Sequence, residues 1–237
     1  METGFLKHLP ALLLALCFSG QAAAQGSALQ ELFGAAGPGA GVAAGALPSP
    51  VMSGPEDVNK GQEFEYVDRG NVVPEAPLQA ALRYYKANRG NIGNQEYLSV
   101  IDYTQHAGQK RFYIINMRTG GVERFLVAHG RGSDPSRSGY ASRFSNEDNS
   151  LATSLGFYRT SDTYDGKHGY SMRLEGLSRT NSNALARDVV IHGADYVASL
   201  GRSWGCPAVE MSVRTRLINM LKGGSIIYAY HRQFSRD

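Results

Sequence analysis

Cysteine is almost absent from this chain. Only two occur among 237 residues, and one of them, Cys17, lies in an apolar N-terminal segment. Residues 1–24 have the pattern of a secretory signal peptide, with a basic residue, an apolar run over 9–18 and small residues at 22–24. Its removal leaves Cys206 as the single thiol, so no intramolecular disulfide can form. An unpaired thiol is a liability in an exported protein, which favours a reactive role for Cys206.

Long apolar runs and strong charge are also lacking. The run over 9–18 is too short for a stable membrane-spanning helix, and Leu16 stands where a lipoprotein signal needs a small residue. We therefore expect no stable membrane anchor after signal cleavage, and export to the periplasm or cell wall. The net charge is only +3 and the arginines are scattered. This charge does not fit a nucleic-acid-binding protein, but it suits weak attraction to an anionic polymer.

The sequence contains no internal repeat, no phosphate-binding glycine motif and no H-E-x-x-H metal motif. The glycine pairs at 120–121 and 223–224 are explained more simply as turns. We therefore expect neither a cofactor nor a metal. One alternative, which lacks a recognised ligand spacing, is a zinc peptidase. Its ligands would come from His129, His168, His192 and Cys206.

The composition predicts three segments. Residues 34–55 are nearly all Gly, Ala, Pro and Ser, with too little apolar surface to offset the loss of chain entropy. We predict a signal peptide over 1–24, a flexible arm over 25–76 and one folded domain over 77–237. The polar segment from Gly132 to Ser150 is compatible with a lid over a cleft or with a long surface loop.

Within the domain, the periodicity predicts many short strands and few helices. Helices are expected over 77–88 and 212–221, where apolar residues share one face. A mainly β fold with two or three helices follows, α+β by content. The strands are predicted at 97–103, 111–117, 122–128, 153–160, 170–174, 189–191 and 225–230.

The most informative stretch surrounds the single thiol. An apolar strand over 189–191 runs into His192, and a short linker leads to Cys206. Cysteine is a strong nucleophile as the thiolate, and a nearby imidazole raises the thiolate fraction. Gly205 permits a tight turn and Pro207 fixes φ, so main-chain N-H groups beside the thiol can bind a developing oxyanion. These features predict acyl transfer.

At these residues the chain resembles the L,D-transpeptidases, the YkuD-type cysteine enzymes of bacterial cell walls, and particularly their murein L,D-transpeptidase catalytic-domain branch. The resemblance implies a β-sandwich-like catalytic domain. Two positions depart from many family members, which have a second His where this chain has Trp204 and an Arg where it has Ala208. The matching blocks are IHGADY at 191–196, GRSWGCPA at 201–208, and shorter pieces at 126–130, 154–158, 166–171 and 222–225.

The resemblance also implies roles for individual residues. Cys206 is the nucleophile and His192 the general base and later acid, with the main-chain carbonyl of Gly193 fixing the imidazole tautomer. Ser203 orients the loop. The main-chain N-H groups of Trp204, Gly205 and Cys206 are the oxyanion-hole candidates. The candidates for substrate binding, each with a structural alternative, are His129, His168, Lys167, Tyr170, Tyr158 and Arg202.

The reaction implied is peptidoglycan cross-linking. The thiolate of Cys206 attacks the L-centre carbonyl of the third residue in a murein stem tetrapeptide, releases D-alanine, and passes the acyl group to an amine of a neighbouring stem. The expected partners are peptidoglycan stem peptides, with carbapenems as covalent inhibitors. If water accepts the acyl group, the same residues give an L,D-carboxypeptidase or endopeptidase. A non-catalytic murein-binding module is a further alternative.

Overall fold

The computed structural model describes residues 63–233, so the predicted signal peptide and most of the predicted arm lie outside the described residues. The described part contains two α-helices, α1 (Glu75–Asn88) and α2 (Met211–Leu221). Its strands are β1 (Tyr97–Asp102), β2 (Phe112–Asn116), β3 (Val122–Phe125), β4 (Gly156–Gly166), β5 (Gly169–Gly176), β6 (Val190–Gly193), β7 (Ala208–Val209) and β8 (Ile226–Tyr230). Short 3-10 helices occur at Arg89–Asn91, Arg179–Asn181 and Asp195–Val197.

The eight strands form one sheet that almost closes on itself. Their order is β3-β2-β1-β8-β4-β5-β6-β7, with parallel pairing only at β1–β8 and β6–β7. The two edges meet where Val127, just after β3, bridges Val209 in β7. There the Ala128 N-H donates to the Ala208 carbonyl oxygen over 2.9 Å. The predicted mainly β fold with two helices is therefore confirmed.

The sheet is buried on both faces, which explains why its central strands are so apolar. In β2, Phe112 and Ile114 face an inner core, whereas Tyr113 and Ile115 face an outer one. Helix α2 contributes Leu217 to the inner core. Helix α1 covers the outer core with one apolar stripe. The stripe consists of Leu78, Ala81, Leu82 and Tyr85.

The ordered domain begins earlier than residue 77. Val67 and Val73 are buried in the outer core, and the carboxylate of Asp68 accepts hydrogen bonds from the main-chain N-H groups of Val72 and Val73, both at 2.8 Å. Residues 63–76 are therefore ordered and packed against the domain, whereas the sequence predicted a flexible arm there. Residues 63–74, which precede α1, are held by a turn capped by the Asp68 side chain and not by a helix or strand, so their sequence shows no helical or strand period.

The β4–β5 hairpin is longer than the sequence predicted. Its strands run over 156–166 and 169–176, with a register shift between Thr160 and Thr163. Polar residues on the outer half of the hairpin obscured this length. The tight turn between Gly166 and Gly169 carries His168 at its tip. The two-residue strand β7 was also missed, because a strand this short has no detectable alternation.

Helix α2 supports β6 through its buried face, so truncating that face should destabilise the domain. Leu217 is fully buried. We expect Leu217→Ala to lower the free energy of unfolding by about 2–5 kcal/mol, because it removes apolar contacts and leaves a cavity. The measurement is urea denaturation followed by circular dichroism. Thr215→Ala, an exposed change on the same helix, is the matched control and should change stability by less than about 0.5 kcal/mol. Equal losses in the two variants would contradict this packing.

Candidate active site

The strand pairing places His192 beside the segment that carries the thiol. In the parallel β6–β7 pair, His192 is opposite Ala208. Cys206 lies two residues before Ala208 and is joined to it by a tight turn at Pro207, in which the Ala208 N-H donates to the Cys206 carbonyl oxygen over 3.0 Å. His192 and Cys206, which are separated by a loop in the chain, are thus brought to neighbouring positions at the β6–β7 end of the sheet.

Ser203 holds the turn that precedes the thiol. Its hydroxyl donates to the Cys206 carbonyl oxygen over 2.6 Å and accepts from the Gly205 N-H over 3.1 Å. Its main chain is fixed as well, because its N-H donates to the His129 carbonyl oxygen and its own carbonyl accepts from the Arg131 N-H, at 2.9 and 2.8 Å. One buried serine therefore defines the conformation of the whole turn.

Two glycines allow this turn to lie close to its neighbours. Gly205 has a φ of +128°, in the region that favours glycine, and a side chain there would place Cβ 2.9 Å from the Ala152 carbonyl oxygen. A Cβ on Gly130 would lie 2.4 Å from the Leu151 carbonyl oxygen and 2.9 Å from Cα of Gly205. A larger residue at Gly205 would therefore collide with Ala152, and one at Gly130 would collide with the 151–153 segment and with Gly205.

His192 has the tautomer that a general base needs. Its Nδ1 lies 3.1 Å from the carbonyl oxygen of Gly193, the partner named from the sequence. Because a carbonyl oxygen only accepts, Nδ1 carries the hydrogen and Nε2 is free to take a proton. Burial lowers the pKa of His192, partly offset by the Gly193 contact, and nearby His168 lowers it further. The two imidazole rings stack with centroids 4.5 Å apart.

The thiol of Cys206 is half-buried and protonated in its resting environment. Its Sγ donates to the carbonyl oxygen of Asp188 over 3.6 Å. Burial raises the pKa of Cys206, while the Val190 N-H and the Arg187 guanidinium oppose this shift and Asp188 adds to it. Both shifts favour the uncharged forms, the thiol for Cys206 and the neutral imidazole for His192.

One of the three oxyanion-hole candidates is wrong for this conformation. The N-H of Gly205 donates to Ser203 Oγ, so it is not available to a substrate oxygen. In contrast, the main-chain N-H groups of Trp204 and Cys206 make no hydrogen bond to any residue within 63–233. The sequence could not separate them, because the serine side chain selects which amide of the turn is used.

His129 was predicted to bind substrate, and this prediction is wrong. The residue is fully buried beneath the turn, where its Nδ1 accepts a 2.7 Å hydrogen bond from Arg111. Its Nε2 lies 3.6 Å from Asp134 Oδ2, which is longer than a hydrogen bond. Burial, with the adjacent Arg111, lowers the pKa of His129 to about 4. His129 is a neutral structural residue that anchors Ser203 through its carbonyl.

Tyr158 was also predicted to bind substrate and is likewise buried, with its hydroxyl 2.6 Å from Ser154 Oγ. Burial raises its pKa to about 12. Tyr170 is half-buried and donates to Asn219 in α2 over 3.2 Å. Lys167 is exposed beside His168 at the hairpin tip. Both tyrosines belong to sequence blocks shared with the family, and such blocks do not distinguish packing residues from contact residues.

The zinc alternative receives no support from the geometry. Because Nδ1 of His129 accepts from Arg111, this nitrogen is occupied. Within the described part of the chain, no group of three His, Cys, Asp or Glu side chains converges as a metal site would.

In residues 63–233, no helix combines the length and apolar character needed to cross a membrane.

Several residues of the site were not predicted from the sequence. Arg187 donates to the Ala152 carbonyl oxygen over 2.7 Å and to the Ser145 carbonyl oxygen over 2.9 Å, and so fixes the loop behind Gly205. Arg111 is fully buried, and its guanidinium donates to the Val127 carbonyl oxygen over 3.0 Å. A charged residue at the start of an apolar strand was the available signal for Arg111.

The fold and the site together define a nearly closed β domain that presents a cysteine and a histidine at the seam of its sheet. The family model of the YkuD-type L,D-transpeptidase catalytic domain matches residues 70–230. The chain therefore belongs to the L,D-transpeptidase catalytic-domain family, as its motifs predicted. In the comparison with curated proteins, no protein matches.

Several solved structures named as L,D-transpeptidases are similar to this chain. An L,D-transpeptidase from Mycobacterium smegmatis aligns with 14% identity and a TM-score of 0.37, over 57% of this chain and 59% of its own. The structure of LdtMt1 in complex with imipenem has 14% sequence identity and a TM-score of 0.36, and it aligns over the same shares of the two chains. The enzyme from Xylanimonas cellulosilytica has 16% identity and a TM-score of 0.36, over 56% of this chain and 59% of its own. This chain thus covers less than two thirds of these relatives.

The buried His129 should make stability depend on pH. Its folded pKa of about 4 lies below the unfolded value of 6.5, so the unfolded chain gains a proton first as the pH falls. Stability is then complete above pH 6.5 and is lost between pH 6.5 and 4, by on the order of 3 kcal/mol. We expect His129→Gln to reduce this slope in urea titrations across that range. Subtracting the parent curve cancels the other histidines, and an unchanged slope would contradict the assignment.

The stacked His168 should influence the titration of His192. Removing its ring relieves both electrostatic repulsion and part of the burial of His192. We therefore expect His168→Gln to raise the pKa of His192 toward its ordinary value, as measured by NMR titration of the ring. His231→Gln is the control, because this ring packs at a tilt against Phe144 instead. An identical pKa of His192 in the parent protein, in His168→Gln and in His231→Gln would contradict this prediction.

Proposed function

We propose that this protein is a peptidoglycan L,D-transpeptidase in which Cys206 is the nucleophile and His192 the general base. The observation that supports this most directly is the β6–β7 pairing, which aligns His192 with the turn carrying Cys206 in a domain of this family. We further propose export to the periplasm or cell wall, which places the enzyme with its polymeric substrate.

The reaction begins from a neutral pair. As a stem peptide enters, Nε2 of His192 takes the thiol proton, and the thiolate attacks the carbonyl carbon at the L-centre of the third residue. The Val190 N-H and Arg187 lower the pKa of Cys206 and so favour the thiolate during this step. The imidazolium then protonates the departing nitrogen of D-alanine, which leaves a thioester on Sγ. An amine of a neighbouring stem attacks the thioester, gives its proton to His192 and restores the thiol.

The negative charge that develops on the carbonyl oxygen needs donors in the turn. The main-chain N-H groups of Trp204 and Cys206 are the candidates, because Ser203 occupies that of Gly205. Ser203 acts as a positioning residue, since its hydroxyl fixes the carbonyl of Cys206 and the orientation of both amides. Disorder in the turn would weaken oxyanion binding without altering the nucleophile.

Hydrolysis by the same residues is the second candidate. It is favoured by the exposure of Trp204, 71% of which is open to solvent beside the thiol, because water could reach the thioester there. Incubation with intact sacculi followed by chromatography of muropeptides separates the two activities. Cross-linked 3-3 dimers support transfer, whereas shortened monomers without dimers support a carboxypeptidase or endopeptidase.

Loss of the thiol should abolish turnover while leaving the fold and substrate binding intact. We expect Cys206→Ala to reduce turnover of stem peptides by at least about 10³-fold. Incubation of the parent with a carbapenem should give one covalent adduct, located on Cys206 by mass spectrometry, and none in the variant. Turnover by the variant at the parental rate would refute the enzyme. Murein binding without turnover in the parent would identify a binding module.

A further inference from the structure

A groove rich in arginine starts at Trp204, two residues before the thiol. It has a volume of about 460 Å³ and lies between the 131–139 loop and the 200–204 loop. Arg131, Arg137 and Arg202 contribute its guanidinium groups. The sequence did not predict that these three arginines form a group, since they are separated by up to 71 positions, from 131 to 202.

The charge of this groove is not neutralised by the protein. Among residues 63–233, none of the three arginines forms an ion pair with a carboxylate. Arg131 lies over the indole of Trp204, 5.5 Å from the ring centroid, and Arg202 donates to the main-chain carbonyl of Asp134. Their remaining N-H groups therefore face the groove or solvent and can donate hydrogen bonds to an anionic group.

Asp134 is the one acidic residue in the lining, but its carboxylate is turned inward. It accepts from the main-chain N-H groups of Ser138 and Gly139, both at 2.9 Å, and is almost completely buried. These donors lower the pKa of Asp134 to about 2 against the opposing effect of burial. The carboxylate shapes the loop and does not occupy the arginines.

The backbone on both sides of the groove is held in an uncommon conformation. Arg137 has a φ of +57° and Leu200 has a φ of +60°, although neither is glycine. Such conformations cost free energy and persist only where the surrounding structure enforces them. Two of them facing one groove, from separate loops, indicate that its shape is maintained.

We propose that this groove binds a free carboxylate of the peptide that reacts at Cys206. The inference rests on the proposed function and extends it to the residues that recognise a free carboxylate of the stem peptide. The methyl side chain of Ala208 cannot bind such a group, and the residue is fully buried against β6 and the 128 segment. Arg131 and Arg137 supply the charge from another loop, and Trp204 contacts the peptide beside them.

Two carboxylates have this chemistry, and binding measurements distinguish them. One is the terminal carboxylate of the donor tetrapeptide, and the other is the carboxylate next to the amine of an acceptor stem containing diaminopimelate. Full-length protein with Cys206→Ala is titrated by calorimetry with each peptide as the free acid and as the amide at that position. We expect one free acid to bind about tenfold tighter than its amide, with the difference decreasing in high salt.

The double change Arg131→Gln and Arg137→Gln should remove this preference for the free acid. Arg118→Gln is the control for net charge, because Arg118 is exposed on the β2–β3 turn outside the groove. Circular dichroism checks that each variant folds. The proposal is overturned if acid and amide bind equally for both peptides, or if the double variant keeps the parental preference.

The groove and the enzyme can fail separately. Preference for the acid, lost in the double variant, together with no turnover by the unmodified protein, would retain the groove and overturn the proposed function. Turnover with no preference for the acid would retain the enzyme and overturn the groove.

Discussion

The hydrogen bonds that hold the 203–209 segment in the seam of the sheet are the constraint on which the site depends. On one side this segment pairs with β6, where His192 is opposite Ala208. On the other it contacts the chain after β3 through Ala128 and His129. The segments that carry the thiol, the imidazole and the serine that orients the turn are adjacent because a single segment closes the sheet.

Burial sets the charge state of these groups. It raises the pKa of Cys206 and lowers that of His192, and both shifts favour the uncharged form of the group. Beneath the turn, Arg111 and His129 form a layer in which the histidine is neutral because it is buried beside a cation. The exposed positive charge of Arg131 and Arg137 lies instead at the surface, in the groove beside Trp204.

Much of the fold could be predicted because its strands are buried on both faces and are therefore strongly apolar. Every predicted strand and both helices are present, with boundaries that shift by a few residues. Strand β7 was missed because two residues show no period. The roles of His129 and Tyr158 were wrong, since neighbouring residues in a motif gave no information about which side of the turn they would occupy.

The sequence by itself determined the family, the candidates Cys206 and His192, and the glycine and serine that permit the turn, because these depend on residue type and local spacing. Only the tertiary structure decided which main-chain amides remain free, which histidine is buried, and that His168 stacks on His192. The same holds for the cluster of Arg131, Arg137 and Arg202. These relations join residues from separate loops, and closure of the sheet, rather than local sequence, brings those loops together.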